Sequence, residues 1–354
     1  MTRSTGNRHA VMLCTDANMM VPALFVAHAV ISHAGPAAST FDVVVVTDAD
    51  AAGEREKQWM AEHGILHNII DFGFLRTIFD RPGRLTAGAL VKLVLPHRFA
   101  DEYDRILYLD ADLTIHSDLS VLFGLDLAGN AIAANRRAVL LRTEAEQQAA
   151  ETHFTALGMT RPFRYFNSGV MLIDVAAWNT EDLTARPLDF ISMNRELCRL
   201  PDEDALNAVL NGRFAPLSPA WNMPPRRTAF MDFHEMIEPA ITHYSGIDKP
   251  WKRFGHDKPL FPDMQAYSLY ADFIRATPWP DWLQQQWSYR DIRAGLRSSL
   301  RHSWRAWRHR PSEADRERTT NHRKRLAAYL AGGEFADVQQ GLSWHDGARL
   351  RVRR

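Results

Sequence analysis

The chain has 354 residues, 46% hydrophobic and 24% charged, with 42 Lys+Arg against 42 Asp+Glu. That balance is ordinary for globular proteins and excludes a mostly disordered, collagenous or fibrous chain. The length suits about two domains, or one α/β enzyme domain of about 250 residues with an appendage. Two cysteines, Cys14 and Cys198, argue against a disulfide scaffold and fit a reducing compartment.

The opening MTRSTGNRHAVMLCTDAN is basic, but its apolar run stops at Asp16, too soon for a secretory leader. Residues 9–15 (HAVMLCT) are predicted as a short buried strand, and 20–33 as a helix by apolar spacing. The apolar run 21–31 falls short of the ~20 residues that span a bilayer, so a cytoplasmic protein is expected. Residues 41–47 (FDVVVVT) are β-branched and predict a buried parallel strand. A helix follows at 54–63, a strand at 68–72, a helix at 85–99 broken at Pro96, strands at 105–109 and 130–134, another strand at 166–174 and a helix over 202–210. The proline-rich stretch 216–225 reads as an ordered loop. Alternating strands and helices predict an α/β fold with a mixed, mostly parallel sheet.

The zero net charge hides an asymmetry. Residues 286–354 hold 16 Lys+Arg and 7 Asp+Glu, a net of +9, which leaves −9 for residues 1–285. The composition shifts near Trp282, predicting a body over 1–282 and a basic helical extension over 283–354. In that extension Ile292, Leu296, Leu300, Trp304 and Trp307 recur at helical spacing. Arg290, Arg293, Arg297, Arg301, Arg305 and Arg308 run alongside them. Arginine beside Trp and Leu is the pattern of an interfacial helix, so 287–310 is expected on an anionic membrane surface, peripheral on the inner face of the cytoplasmic membrane. The competing reading packs this helix on the acidic body. A further helix is expected at 321–331, ended by Gly332-Gly333.

The chemistry concentrates in YDRILYLDADLTIHSDL, where Asp110 and Asp112 follow a hydrophobic strand. Open α/β sheets bind ligands beyond the carboxyl ends of their strands. Residues i and i+2 in extended backbone point the same way, so both carboxylates can face one hard cation such as Mn²⁺ or Mg²⁺. The triplet alone is weak, because D-x-D recurs at Asp48/Asp50 and Asp202/Asp204. The same segment also fits a dehalogenase-type phosphatase, with Asp110 as nucleophile and Asp112 as acid/base.

Five further segments accompany ILYLDADL: CTDAN (14–18), YFNSGVMLIDVAAWN (165–179), DEDALNAVL (202–210), PAWNMPP (219–225) and THYSGIDKPWK (242–252). In this order, over residues 8–252, they resemble glycosyltransferase family 8, most closely its bacterial lipopolysaccharide and lipooligosaccharide galactosyl- and glucosyltransferase branch. The resemblance implies a GT-A fold with a Rossmann-like nucleotide-binding half. It also implies a retaining, metal-dependent hexosyltransferase that takes UDP-galactose or UDP-glucose to a glycan or glycolipid acceptor. The metal would fall on Asp110, Asp112 and His243. Donor contacts would come from Thr15, Asp16, Asn18, Lys92, Ala111, Asn167, Asp202, Glu203, Gly246 and Lys249. Of these, Asp16 matches the uracil-imide acceptor, Asn18 a ribose contact, Gly246 and Lys249 the diphosphate holders, and Asn167 and Asp202 the sugar contacts.

Three positions depart from the family pattern. Lys92 stands where Arg is common, losing a bidentate fork. Arg137 falls near a position where some relatives carry a sugar-contacting Asp. Glu203 replaces the Gln of D-Q-D, so Asp202 and Glu203 are the expected catalytic carboxylates, with Glu203 either attacking the anomeric carbon or stabilising oxocarbenium charge. Asp204 is expected to be structural. The loop 226–239 is a candidate acceptor surface. A nucleic-acid-binding role for the arginine tail is disfavoured by the acidic body and the lack of a nucleic-acid motif. Loss of catalysis is disfavoured by the intact Asp110/Asp112/His243 set.

Overall fold

The computed structural model describes residues 7–49, 51–79, 87–137, 144–225, 231–246, 249–251, 264–286, 313–332 and 334–341, with helical positions at 293, 296, 297, 300 and 304. Seven strands form one sheet: β1 (His9–Thr15), β2 (Asp42–Thr47), β3 (Leu66–Ile69), β4 (Arg105–Leu109), β6 (Ile132–Arg136), β7 (Phe166–Asp174) and β8 (Ala215–Leu217). Their order is β3-β2-β1-β4-β7-β6-β8, and the pairings leave β7 as the single strand running against the others. The sheet is therefore mixed and mostly parallel, with the α/β layering of a GT-A fold. A separate antiparallel ribbon joins β5 (Leu113–Ile115) to β9 (Ile241–His243).

The strands alternate between two apolar layers, as the period of two in extended chain requires. Val11, Leu13, Val43, Val45, Leu107 and Leu109 pack in one layer with the helix Met20–Ala34. Met12, Val44, Val46, Ile106 and Tyr108 pack in the other with residues of the helices Ala185–Met193 and Pro201–Leu210. Burial on both faces explains the unbroken valine run of β2. Residues 17–40 contain an apolar stretch of 18 residues with the hydropathy of a membrane span, but 56% of that stretch is buried in the fold. Met20, Leu24 and Ala27 are buried there as core residues.

Several expected elements shift. The third strand lies at Leu66–Ile69 rather than 68–72, because Asp71 and Phe72 already lead into the helix Gly73–Ile78. The expected helix at 85–99 is a 3₁₀ stretch, Ala87–Leu93, followed by the short helix Leu95–Arg98, with Pro96 in its first turn, where the missing N–H costs nothing. The predicted loop at 216–225 contains β8 and the 3₁₀ turn Pro219–Asn222.

The expected helix at 321–331 runs from Glu313 to Gly332. Its Leu326 and Leu330, with Phe335 and Ala336, join the same apolar layer as Leu217 and Trp221. Beyond it Asp337 is buried, accepting bonds from Ser218 N (2.9 Å), Ser218 Oγ (2.7 Å) and Trp221 Nε1 (2.7 Å). Most of 287–310, including Arg290, Ile292, Arg301, Arg305, Trp307 and Arg308, lies outside the described residues, as does 226–230 of the loop 226–239.

Candidate active site

Because β7 is antiparallel to β4, its start lies beside the carboxyl end of β4. Asp110, Ala111 and Asp112 leave β4 there and enter β5. The β5–β9 register sets Leu113 opposite His243, and Tyr244 N donates to Asp112 O at 2.9 Å. That ribbon delivers the imidazole to the carboxylates. His243 Nε2 lies 3.2 Å from Asp112 Oδ1 and 3.7 Å from Asp110 Oδ2. One ligand atom from each of Asp110, Asp112 and His243 falls within 4.8 Å of the others.

Two observations test whether this set fits a divalent cation. The donors are two hard oxygens and one imidazole, suited to Mn²⁺ or Mg²⁺. The floor of the cluster is Gly169, where an added Cβ would lie 2.3 Å from His243 Cε1 and 2.5 Å from Asp110 Oδ2. The cluster is thus close-packed around a position that only glycine fills, and the residues fit the group.

The other oxygens of both aspartates are anchored. Asp110 Oδ1 accepts from Tyr108 Oη (2.8 Å) and Lys92 Nζ (3.1 Å), which leaves Oδ2 toward His243. Asp112 Oδ2 accepts from Lys249 Nζ at 2.5 Å, and Lys249 also donates to Tyr244 O. Burial opposes the charge on Asp112, but His243 and Lys249 outweigh it and hold the carboxyl well below its usual range. Lys249 is therefore no solvated surface lysine.

Lys92 is 3% exposed and does not reach solvent. Its Nζ lies 2.7 Å from Asp202 Oδ2 and bridges that residue to Asp110. Burial alone would lower the lysine, but the two carboxylates raise it above its ordinary value. Asp202 Oδ2 also accepts from Ser168 Oγ at 2.8 Å. Asp202 does not cap its helix. The N-cap position is Leu200, and Asp204 reaches back to accept from Arg199 N and Leu200 N, and from Tyr165 Oη, a structural role.

Glu203 is buried with both oxygens engaged. Oε1 pairs with Arg137 Nη1, and Oε2 accepts from Asn167 Nδ2 (2.8 Å) and Ser168 N (3.2 Å). Burial raises its carboxyl, Arg137 opposes the rise and Asp202 adds to it. Ser168 N and Gly169 N donate to side chains, to Glu203 and Asn167, where the strand ladder is interrupted. The β6–β7 register steps from Ala134↔Met171 to Asn135↔Asn167, so 168–170 have no β6 partner. Irregularities of this kind recur beside active sites, where they re-aim side chains.

Asp16, at the end of β1, accepts from Asn18 N and Met19 N through Oδ1 and so caps the turn Ala17–Met19; Thr15 Oγ1 donates to Asp16 O. Asn18 and Gly246 are exposed, while Ala111 is buried between the two aspartates. A small cavity of about 50 Å³ opens among Arg137, Asn167, Asn222, Pro224, His243 and Ser245. Sequence reasoning singled out no role for Asn222, Ser168, Gly169 or Tyr108. Asn222 lies in PAWNMPP and the next two in YFNSG, so the motifs marked their segments but not their tasks.

The family model for "Glycosyl transferase family 8" matches residues 10–255, and the chain belongs to that family. Among curated relatives, General stress protein A of Bacillus subtilis (strain 168) is 30% identical over 54% of this chain and 67% of its own length. Lipopolysaccharide 1,2-glucosyltransferase of Escherichia coli (strain K12) is 30% identical over 50% of this chain and 51% of its own. The match thus spans from about half to two thirds of these relatives. The solved galactosyltransferase LgtC, in complex with donor and acceptor sugar analogs, superposes with a TM-score of 0.61 at 20% identity, covering 76% of this chain and 96% of that one, which establishes the shared fold. Family membership sets aside the dehalogenase-type phosphatase.

Proposed function

We propose that the protein transfers a hexose, galactose or glucose, from a UDP-sugar to a saccharide acceptor with retention at the anomeric carbon, in the synthesis of lipopolysaccharide or another cell-surface glycan. The observation that carries this reading is the Asp110/Asp112/His243 cluster joined through buried Lys92 to Asp202. It sets a candidate cation cluster, a charge bridge and the Asp202 carboxylate beside one another at the carboxyl end of β4, which supports the reading. Asp16, Thr15 and Asn18 at the end of β1 receive the uridine. Gly246 and Lys249 hold the diphosphate, Asn167 and Asp202 contact the sugar, and Ala111 lies between the ligand carboxylates. Asp110, Asp112 and His243 would hold Mn²⁺ or Mg²⁺, which would supply positive charge toward the departing pyrophosphate. The Lys249 ammonium, preset beside Asp112, adds to it. Asp202 and Glu203 stabilise oxocarbenium charge on the sugar. Glu203 acts electrostatically, since Arg137, Asn167 and Ser168 already occupy its oxygens.

The test is UDP release from a panel of UDP-sugars with Mn²⁺ and with chelator, in the parent and in Asp112→Ala. Mn²⁺-dependent hydrolysis of one donor, abolished in the variant, establishes the class and names the sugar. No turnover and no Mn²⁺-dependent UDP binding overturns it.

We further propose that residues 283–354 tether a 1–282 catalytic body through 287–310 lying on an anionic membrane. Leu296, Leu300 and Trp304 occupy helical positions four apart and are 50%, 74% and 53% exposed, with Arg293 and Arg297 beside them. Each basic residue near such a surface contributes about 1 kcal/mol. Because Leu326, Leu330, Phe335 and Asp337 pack on the body, the test is made in the full chain. Co-sedimentation with phosphatidylglycerol vesicles should be lost in Leu296→Glu/Leu300→Glu/Trp304→Glu, and equal sedimentation of parent and variant would sink the idea.

A further inference from the structure

The ring of His243 ends in a chain of side-chain amides whose direction is fixed by the backbone. Asn167 Oδ1 accepts from Gly169 N at 3.1 Å. A backbone N–H can only donate, so that end of the Asn167 amide is its oxygen and the other is its NH₂. The NH₂ is then the group that meets Glu203 Oε2 at 2.8 Å, and this carboxylate oxygen also takes Ser168 N. Asn222 lies 2.7 Å from Asn167 Oδ1 and must offer its own NH₂ there. Its oxygen is left facing His243 Nδ1 at 2.9 Å. An oxygen at that place requires the proton on Nδ1, which leaves the Nε2 lone pair toward Asp110 and Asp112.

One backbone donor beside the β6–β7 irregularity, Gly169 N, thus sets, through two amides, which nitrogen of the imidazole is open to a cation. Asn222 is itself rigidly held. It closes the turn Pro219–Asn222, and both its flanks are pinned: Ala240 N donates to Ala220 O, Met223 N to Ile241 O, and Trp221 Nε1 to buried Asp337.

We infer that Asn222 is a positioning residue joining the two halves of the site: it fixes the metal-facing tautomer of His243 and, through Asn167, the hydrogen bonding of Glu203. This rests on the cation reading above. Partners of ligating histidines typically contribute about 10- to 100-fold to metal affinity. The two functions separate by substitution. Asn222→Ala removes the acceptor for Nδ1–H. Asn222→Asp keeps an oxygen there but sets a second acceptor against Asn167 Oδ1, which Gly169 N holds in direction, so Asn167 is pushed off its place and its bond to Glu203 weakens.

The experiment is titration with Mn²⁺ read by the electron paramagnetic resonance of the free ion, without nucleotide, beside steady-state UDP release. Asn222→Ala should bind Mn²⁺ about 10- to 100-fold more weakly. Asn222→Asp should bind it at least as tightly as the parent while its kcat falls by about 10-fold or more, since misplacing a group at the reacting centre by ~1 Å costs up to about 100-fold. A merely structural asparagine would weaken both variants together. Parent-like Mn²⁺ affinity in Asn222→Ala overturns the inference, and so does equal loss in both variants. If Asn222→Ala does not fold, the affinity and kcat of Asn222→Asp decide alone. A parent that binds no Mn²⁺ overturns the metal reading itself, a result distinct from either.

Discussion

Gly169→Ala adds one methyl group at the floor of the cation cluster. The new carbon would lie 2.3 Å from His243 Cε1 and 2.5 Å from Asp110 Oδ2, with Asn167 Oδ1 at 3.1 Å. Non-bonded carbons settle at roughly 3.5–4.0 Å, so relief demands about 1 Å of movement. The strand cannot supply it cheaply, because Gly169 O accepts Asp110 N at 2.8 Å and Val170 lies in register with Leu109. The imidazole and the carboxylate must therefore give way, each a proposed ligand. Coordination tolerates only about 0.2 Å of error, so the displacement removes one or two ligands outright. Mn²⁺ affinity should fall by at least the ~100-fold at the upper end of outer-shell effects, against an overpacking cost of about 1–3 kcal/mol in stability. Mn²⁺ titration paired with thermal unfolding measures both. A Gly169→Ala protein that binds Mn²⁺ like the parent refutes the assignment of this cluster as the cation site.

Arg137→Met leaves the Glu203 carboxylate buried without its counter-charge. Breaking a buried pair costs about 3–5 kcal/mol, and because the Arg137 side chain is 35% exposed, roughly 2 kcal/mol is expected. The sign with pH follows from Glu203, whose folded carboxyl already sits above the ordinary 4.5 and rises further without the arginine. The deficit is therefore absent below that ordinary value and grows as pH climbs to the raised folded value. Urea unfolding across pH 4 to 8 checks it, and a pH-independent deficit contradicts the argument. Asp337→Ala orphans three buried donors at about 1 kcal/mol each, so a loss of about 3 kcal/mol is expected. An unchanged melting temperature would show that 334–341 contributes nothing to the body.

The parallel half of the sheet was legible because its strands are buried on both faces and read as apolar runs, the valines of β2 most plainly. Elements of three residues, β5, β8 and β9, carry no period to detect and owe their place to pairing partners far along the chain. Asp110, Asp112 and His243 could be found because motif order brought them together. Lys92 read as a family departure, yet its burial between Asp110 and Asp202 depends on where a 3₁₀ stretch meets the Pro201–Leu210 helix, which no local pattern encodes. Likewise Arg137 and Glu203 are both unusual for the family, and only the fold shows that they pair.

The clamp at Asp337 bears on the order of synthesis. All the proposed ligands and carboxylates, from Asp16 to Lys249, emerge before it, and the strands that carry them can pair as they appear. The turn that presents Asn222 to His243 is held by backbone bonds to 240–241, and it gains its side-chain clamp when a carboxylate more than a hundred positions later arrives to hold Ser218 and Trp221. A nascent chain interrupted before that point carries the full set of proposed groups with one wall of the site short of its clamp, so loss of the final segment acts at a distance on residues it never touches.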